Sequence, residues 1–592
     1  MNAKKLIIID PTKIHDYRHL VKKEKWKWLF LGTDSCLREK VICKLGSKAR
    51  YCYAAELQEV SLSKKDSFLD WISKIGMEIN TTTWWATNTA YKSPLTCDLF
   101  LNYCYLNLIK EWLRNSKDSK LIVIENPWLI KSCITSFKGN GVHVETSTSY
   151  YLKGQIKRQL FSMLRLTYHL LRMFMLWLMN KMHFSKDKAG IDLFSTLGQN
   201  IFICTWIEAR SFEYERKRFE DVYLGALHEY YKSKGYKIIT LAMPSLSKKL
   251  LQRAYLYQGI LPLIYFVSLS DILKSLFMAI NSIYSKKTTF KHSGLNIKEL
   301  LDFEFINEKG TVFLSYINYK SFIKFFNSAD FQTPFLFYPF ENQPWEKMMI
   351  LACEKSSNNW NLIGCHTIGV PFFYLNFYLG SYESKQRPQP NIIASNGSHW
   401  KEVLINNGFN CKVKNGGSLR FGSNQKKVVS NTVTTRHKDS DDRVLVLLST
   451  SLEYSLDLLF YLLRNNEKSK IYFIKPHPDT STKLIIKKVG NIPDNFEFVS
   501  GPMDDWMPKV KWAIHVGTTA AIECMLRGIK VYKFIPERID LDPLLQSGFK
   551  QDCIKSCDYF KFNNENMYEV PERQLIAEDF NMRTWDEILK NN

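Results

Sequence analysis

A histidine held between two prolines, in the run Ile474-Lys475-Pro476-His477-Pro478, stands forty residues before a Gly-Thr-Thr run, Gly517-Thr518-Thr519. Both are devices for holding an anion. His477 can donate to a phosphate oxygen and Lys475 adds positive charge, while the flanking prolines stiffen the loop. Gly517 lies where an apolar run ends and helical spacing begins. Unsatisfied backbone N–H groups and the positive end of a helix dipole meet there, and glycine lets a phosphate approach them closely. The hydroxyls of Thr518 and Thr519 add donors, and Glu523 lies one helical turn further in. Ser449, Thr450 and Ser451 form a third hydroxyl cluster upstream. Plain N-capping by Thr518 or Thr519 accounts for the same Gly-Thr-Thr pattern.

The elements that must position these residues are regular. From Val444 onward, short apolar runs ("VLVLLST", "IYFIKPHP", "FEFVSG", "WAIHVG") alternate with helix-like segments. That alternation predicts a parallel sheet covered by helices on both faces, with ligands at the carboxyl ends of its strands. His477 and Gly517 each follow such a strand, so both belong to one rim. The first 150 residues alternate in the same way, from "KKLIIID" to "KLIVIENPW", and a second α/β region begins near "NIFICTWIE". The stretch "SYESKQRPQP" has the composition of a linker. The expected units are an α/β region over 1–150, a basic helical segment over 151–190, a Rossmann-like domain over 191–390 and a second over 391–592.

Hydrophobic residues make up 45% of the 592 and aromatics 14%, enough for large cores and against global disorder. The formal net charge of +23 calls for an anionic partner. No zinc-finger spacing and no aromatic-basic RNA motif accompanies that charge, so nucleic acid is not the expected one. The 13 cysteines are scattered without a CxxC pair, which fits a reducing compartment. The start, "MNAKKLIIIDPTK", is too short in apolar residues for a signal-peptide core, so a cytoplasmic protein is expected. Lys153 to Lys188 is rich in Leu, Met, Phe and Trp but interrupted by Arg165, His169 and Arg172. Charges so placed disfavour a membrane span. One or two basic amphipathic helices on an anionic leaflet are expected instead, the alternative being a helix packed on the protein with its charges solvated.

Lys-Pro-His-Pro followed by a Gly-Thr-Thr helix start resembles the C-terminal domain of GT-B glycosyltransferases. The resemblance is greatest to bacterial surface-carbohydrate biosynthesis proteins and extends to the capsule Kdo transferases and bacterial sialyltransferases, which use CMP-activated ulosonic acids. "YPFENQPWEKMM", "NLIGCHTIGVPFFYLNF", "PNIIASNGSHWKEVLINNGF" and "TWIEARSFEYERKRFEDVYLGAL" are similar to further segments of that group. The resemblance implies a GT-B α/β fold: two Rossmann-like domains facing a cleft, here with the basic helical segment inserted. It implies that His477, Thr518 and Thr519 contact the phosphate of CMP, with Glu523 near the ribose; Lys475, Ser449 and Gly517, read above from their chemistry, complete the expected nucleotide site. It also implies transfer of Kdo or a sialic-acid-like sugar to a glycan or lipid-linked acceptor for capsule or lipopolysaccharide; with the basic segment, a cytoplasmic protein peripheral on the inner face of the bacterial cytoplasmic membrane is expected. No cofactor and no catalytic metal are implied. Asp504-Asp505 are adjacent rather than spaced by one, and suit an N-cap better than a metal pair.

Sugar transfer needs a carboxylate or histidine within reach of the acceptor hydroxyl. No acidic pair followed by glycine occurs in the N-terminal half, so this group has to be sought at strand ends on the other side of the cleft. Glu208 closes "IFICTWIE", Glu341 follows "FLFYPF", and His366 follows "NLIG". Glu208 and Glu341 are the expected acid/base groups, with His366 as a substrate or phosphate contact. Asp221 and Glu346 are further candidates, Glu346 being equally suited to complement a helix dipole. Two other functions fit the same domains: a CDP-glycerol-type polyol-phosphate transferase, and a non-catalytic nucleotide-binding component of the glycan assembly machinery.

Overall fold

The computed structural model describes residues 6–22, 26–79, 81–115, 118–137, 141–184, 200–213, 218–257, 259–281, 291–328, 334–367, 369–384, 388–419, 442–545, 551–560, 562 and 578–590. Three parallel sheets follow one another along the chain. Their central strands are near-continuous apolar runs, as strands covered on both faces must be, while the edge strands Val142–Glu145, Lys412–Asn415 and Asp552–Lys555 are mixed.

The first sheet has four strands, in the order Trp26–Leu31, Ser119–Ile124, Leu6–Ile9, Val142–Glu145. The middle sheet has seven, in the order Lys412–Asn415, Ile392–Ser395, Asn361–Cys365, Phe335–Pro339, Asn200–Thr205, Lys237–Ala242, Ile260–Pro262. The last sheet has six, in the order Phe496–Phe498, Ile471–Lys475, Arg443–Leu447, Trp512–His515, Lys530–Ile535, Asp552–Lys555. The middle and last sheets are both doubly wound. The middle one starts at Asn200–Thr205, grows one way, and returns to add Phe335–Pro339 on the other side. The last one starts at Arg443–Leu447 and returns to add Trp512–His515. Each therefore has a switch point where two loops diverge and leave a crevice at the strands' carboxyl ends.

The domain boundary expected at 390/391 is displaced. Ile392–Ser395 pairs with Asn361–Cys365, and Lys412–Asn415 pairs with Ile392–Ser395, so the middle sheet runs through Asn415. The supposed linker is an internal connection of the middle unit, in which Glu383, Pro388 and Pro390 are buried. The polar stretch before Val444 lies almost wholly outside the described residues. The C-terminal helix Met582–Lys590 returns to the middle sheet, where Trp585 and Ile588 are buried with Ile201, Ile203 and Phe337. The basic segment is a single helix, Thr148–Phe184, of 37 residues.

The first unit is bolted to both others. Against the last unit, the buried Arg38 reaches the buried Asp457 at 2.7 Å, Arg50 reaches the buried Glu537 at 2.7 Å, and the buried Arg538 donates to Ser35 Oγ at 3.2 Å. Against the middle unit, the buried Lys92 ammonium pairs with Glu383 and donates to the Tyr378 carbonyl at 3.0 Å. Buried apolar side chains of all three units form one continuous cluster.

Candidate functional site

A cavity of about 950 Å³ opens where the three units meet. The middle unit contributes Trp206, Glu341, Gln343 and Trp345 from the two loops of its switch point, and Thr311, Ser315 and Asn318 from helix Lys309–Asn327. The last unit contributes Thr450, Ser451, Leu452 and Glu453 from one loop of its own switch point. The first unit adds Asn88, Tyr91, Ser93 and Thr96, and the long helix adds Arg165. Two crevices that topology alone would mark as ligand sites thus share one space.

Glu341 is held by a corner built from its own sequence neighbours. Asn342 adopts a left-handed conformation with φ 61°, which asparagine tolerates better than most residues. Gln343 caps helix Pro344–Glu354, with Pro344 in its first turn. The Glu346 carboxylate accepts the N–H groups of Glu341 and Gln343 at 3.1 Å and of Asn342 at 2.8 Å. Gln343 Nε2 donates to Glu341 Oε2 at 2.8 Å, and Trp345 Nε1 donates to Gln343 Oε1 at 3.0 Å. The Asn-Gln-Pro-Trp-Glu run therefore fixes a carboxylate on the cavity wall, and Glu346 is its buried brace rather than a group facing substrate. Burial raises the Glu346 carboxyl to about 8 against the opposing effect of its three N–H donors.

Glu208 lies at the other loop of the same switch point but does not line the cavity. Arg210 Nε donates to Glu208 Oε2 at 2.6 Å and the Tyr223 hydroxyl donates to Oε1. Asp221 is buried and shapes the local turn, accepting from the N–H groups of Tyr223 and Leu224 and from the Thr205 hydroxyl. His366, expected on the rim, is instead a core residue, 1% exposed and edge-on to Phe377. Burial lowers its imidazole to about 3, so it is neutral, and neither ring nitrogen has a partner among the described residues. One residue beyond a strand end, its backbone still pairs with Ala394 of the adjacent strand and keeps the ring inside.

The nucleotide-site candidates gather on the rim of the last sheet, and none of the seven lines the cavity itself. Ser449 is buried, and its Oγ accepts the Ser451 N–H at 3.2 Å, which turns Thr450 and Ser451 toward the space. The His477 loop rests on that turn, because the Thr480 hydroxyl donates to the carbonyl of Thr450 at 3.2 Å. His477 is about one-third exposed, and its Nδ1 accepts the Asp479 N–H at 3.2 Å. Lys475 turns away to the Gly501 carbonyl at 2.6 Å. Across the switch point, Gly517 has φ 62°, and a Cβ there would stand 2.8 Å from Leu541, so glycine is required for the close approach. Thr519 is exposed and makes no capping hydrogen bond; the Thr518 hydroxyl accepts from Ala520 N–H only at 3.4 Å. Glu523 is half-buried one turn on.

Sequence reasoning missed the first unit's share of the wall, Asn88 to Thr96, and the helix Lys309–Asn327. Neither carries a local motif. The nearest signal is the threonine-rich run "TTTWWATNTAY", whose Thr81 and Thr87 cap two short helical turns and whose buried Thr89 donates to Glu308 at 2.9 Å.

No family model matches the chain, and no curated protein matches it. Among solved structures, it overlaps a UDP-GlcNAc 2-epimerase from Methanocaldococcus jannaschii at 9% identity, covering 66% of this chain and 100% of that one, with a TM-score of 0.35. The calicheamicin glycosyltransferase CalG4 overlaps at 9% identity over 61% of this chain and 86% of that one, with a TM-score of 0.34. A glycosyltransferase from Rickettsia africae ESF-5 overlaps at 12% identity over 60% and 84%, with a TM-score of 0.31. Overlaps this loose bear on neither substrate nor reaction.

Proposed function

We propose that the chain is a glycosyltransferase that moves an ulosonic acid from a CMP donor to a surface-glycan acceptor. The observation that supports it is the shared cavity. A braced carboxylate, Glu341, stands on one wall, and the hydroxyl-rich Thr450-Ser451 turn of a second doubly wound sheet stands on the other. The CMP and ulosonic-acid parts of the reading rest on the His-Pro and Gly-Thr-Thr resemblance.

In this reading the donor lies at the last sheet's switch point. The His477 imidazole and the hydroxyls of Thr518 and Thr519 receive its phosphate. The Glu341 carboxylate takes the proton of the acceptor hydroxyl. The acceptor oxygen bonds to the anomeric carbon as the bond from that carbon to the phosphate oxygen breaks, and CMP leaves with the electron pair. The developing phosphate charge is met by donors already in place, which is where preorganised groups contribute most.

The test is calorimetric titration of the full chain with CMP, CDP and UDP, followed by turnover assays with CMP-Kdo, CMP-sialic acid and CDP-glycerol. CMP binding with release of CMP from an ulosonic-acid donor supports the reading. Turnover of CDP-glycerol instead makes the chain a polyol-phosphate transferase, and CMP binding with no turnover of any donor makes it a binding component.

A further inference from the structure

Helix Thr148–Phe184 has apolar side chains on two opposite faces. Leu166, Met173 and Leu176 are buried against the body of the protein. On the far side Ile156, Leu160, Leu164, Leu171, Leu178 and Met182 are each between 45% and 66% exposed. Their spacings of four and seven residues keep them in one line, a strip roughly 39 Å long at 1.5 Å per residue. Helix Leu269–Asn281 packs alongside and adds Leu273, Phe277 and Ile280, each more than half exposed. A soluble monomer rarely leaves so large an apolar surface bare.

Charge says what covers it. The long helix carries six basic residues and no acidic one. Arg158 is folded inward over the Phe303 ring and Arg172 is tied to the Ser245 carbonyl, but Lys153, Lys157 and Lys181 are exposed beside the strip. Apolar residues bordered by ammonium groups match the two layers of a bilayer surface, acyl chains below and anionic headgroups above. A second copy of this chain, docked by the same face, would set these cations against their own kind. No helix among the described residues is long and apolar enough to cross a membrane, so the contact lies in the membrane plane.

We propose that the exposed face of helix Thr148–Phe184, together with helix Leu269–Asn281, docks the protein on an anionic lipid bilayer. Arg165 of the same helix lines the cavity, so docking sets the mouth of the cleft beside the membrane. This holds whether or not the chain transfers a sugar.

The test is co-sedimentation of the full chain with vesicles of phosphatidylcholine alone and with about one-third phosphatidylglycerol. Binding to the anionic vesicles, weakened by salt, is expected. The triple variant Lys153→Gln, Lys157→Gln, Lys181→Gln should lose more than tenfold in affinity, at about fivefold per basic residue. Leu160→Ser with Leu171→Ser should lose binding comparably; both positions are more than half exposed, and an unchanged melting temperature verifies the fold. Failure of the wild-type chain to sediment with anionic vesicles at low salt overturns the proposal. So does concentration-dependent dimerisation that the leucine variant abolishes, since a second copy would then cover the face.

Discussion

The two switch points that share the cavity are built to different standards of rigidity. At the middle sheet, the corner around Glu341 satisfies itself: three consecutive N–H groups go to Glu346, and Gln343 links Glu341 to Trp345. At the last sheet, Thr519 caps nothing, Thr518 makes one long contact, and His477 keeps a third of its side chain in solvent. A group that takes a proton at a defined atom gains from a fixed position. A group that receives a phosphate gains from donors not already committed to the protein. The contrast suits the proposed division, with proton transfer at Glu341 on the cavity wall and anion binding on the rim of the last sheet beside it.

The largest expected effect sits on the rigid side. Glu341→Gln should lower turnover about 10²–10⁴-fold and leave CMP affinity unchanged, because in the proposed reaction the carboxylate meets the acceptor and not the nucleotide. Glu208→Gln should cost far less, since that carboxylate is already paired with Arg210 and Tyr223. Equal losses in the two variants would erase the distinction between the two loops of the middle switch point.

Next in size is a pair of opposed pH dependences. Glu346 is raised from 4.5 to about 8 by burial. The folded state then holds the proton more tightly than the unfolded one. The stability this confers is present below pH 4.5 and is lost as pH climbs through 8. His366 is lowered from 6.5 to about 3, also by burial. Its contribution is present above pH 6.5 and is lost as pH falls through 3. Each group imposes a slope of about 1.4 kcal/mol per pH unit, and the two cancel between their ordinary values. Glu346→Gln should flatten the alkaline decline in urea-unfolding free energy, and His366→Phe the acid one. A slope unchanged by either substitution removes the buried-brace account of that residue.

His477→Ala should weaken CMP binding by about 1.5–3 kcal/mol, the range for a hydrogen bond to a charged group. Thr519→Ala should be the smallest in stability. With no capping bond to lose, its melting temperature should match wild type, whereas a working N-cap would cost about 1 kcal/mol. A marked loss of stability would return the Gly-Thr-Thr run to ordinary capping.

Strand ends were the legible part of this chain. Alternating apolar runs located the strands that precede His477, Gly517 and Glu341, and the doubly wound architecture followed. What strand ends cannot say is which way a side chain turns after the strand stops. Glu341 and His366 follow neighbouring strands of one sheet, yet one faces the cavity and the other the core. The 390/391 boundary went astray because prolines and mixed charges in 381–390 have the composition of a linker. What contradicts this is long-range: Ile392–Ser395 pairs with Asn361–Cys365, and the buried Glu383 meets Lys92 from 291 positions away. The same distance in sequence hid the first unit's contribution to the cavity wall.

The paired charges of that first unit bear on how the cleft works. One set of buried ions ties it to the last sheet's unit and another ties it to the middle unit. Separating either set would strand a buried charge at a cost of about 3–5 kcal/mol. The unit thus braces both walls of the cavity, and in the proposed reaction a donor and acceptor would meet walls already joined through it rather than two separate lobes.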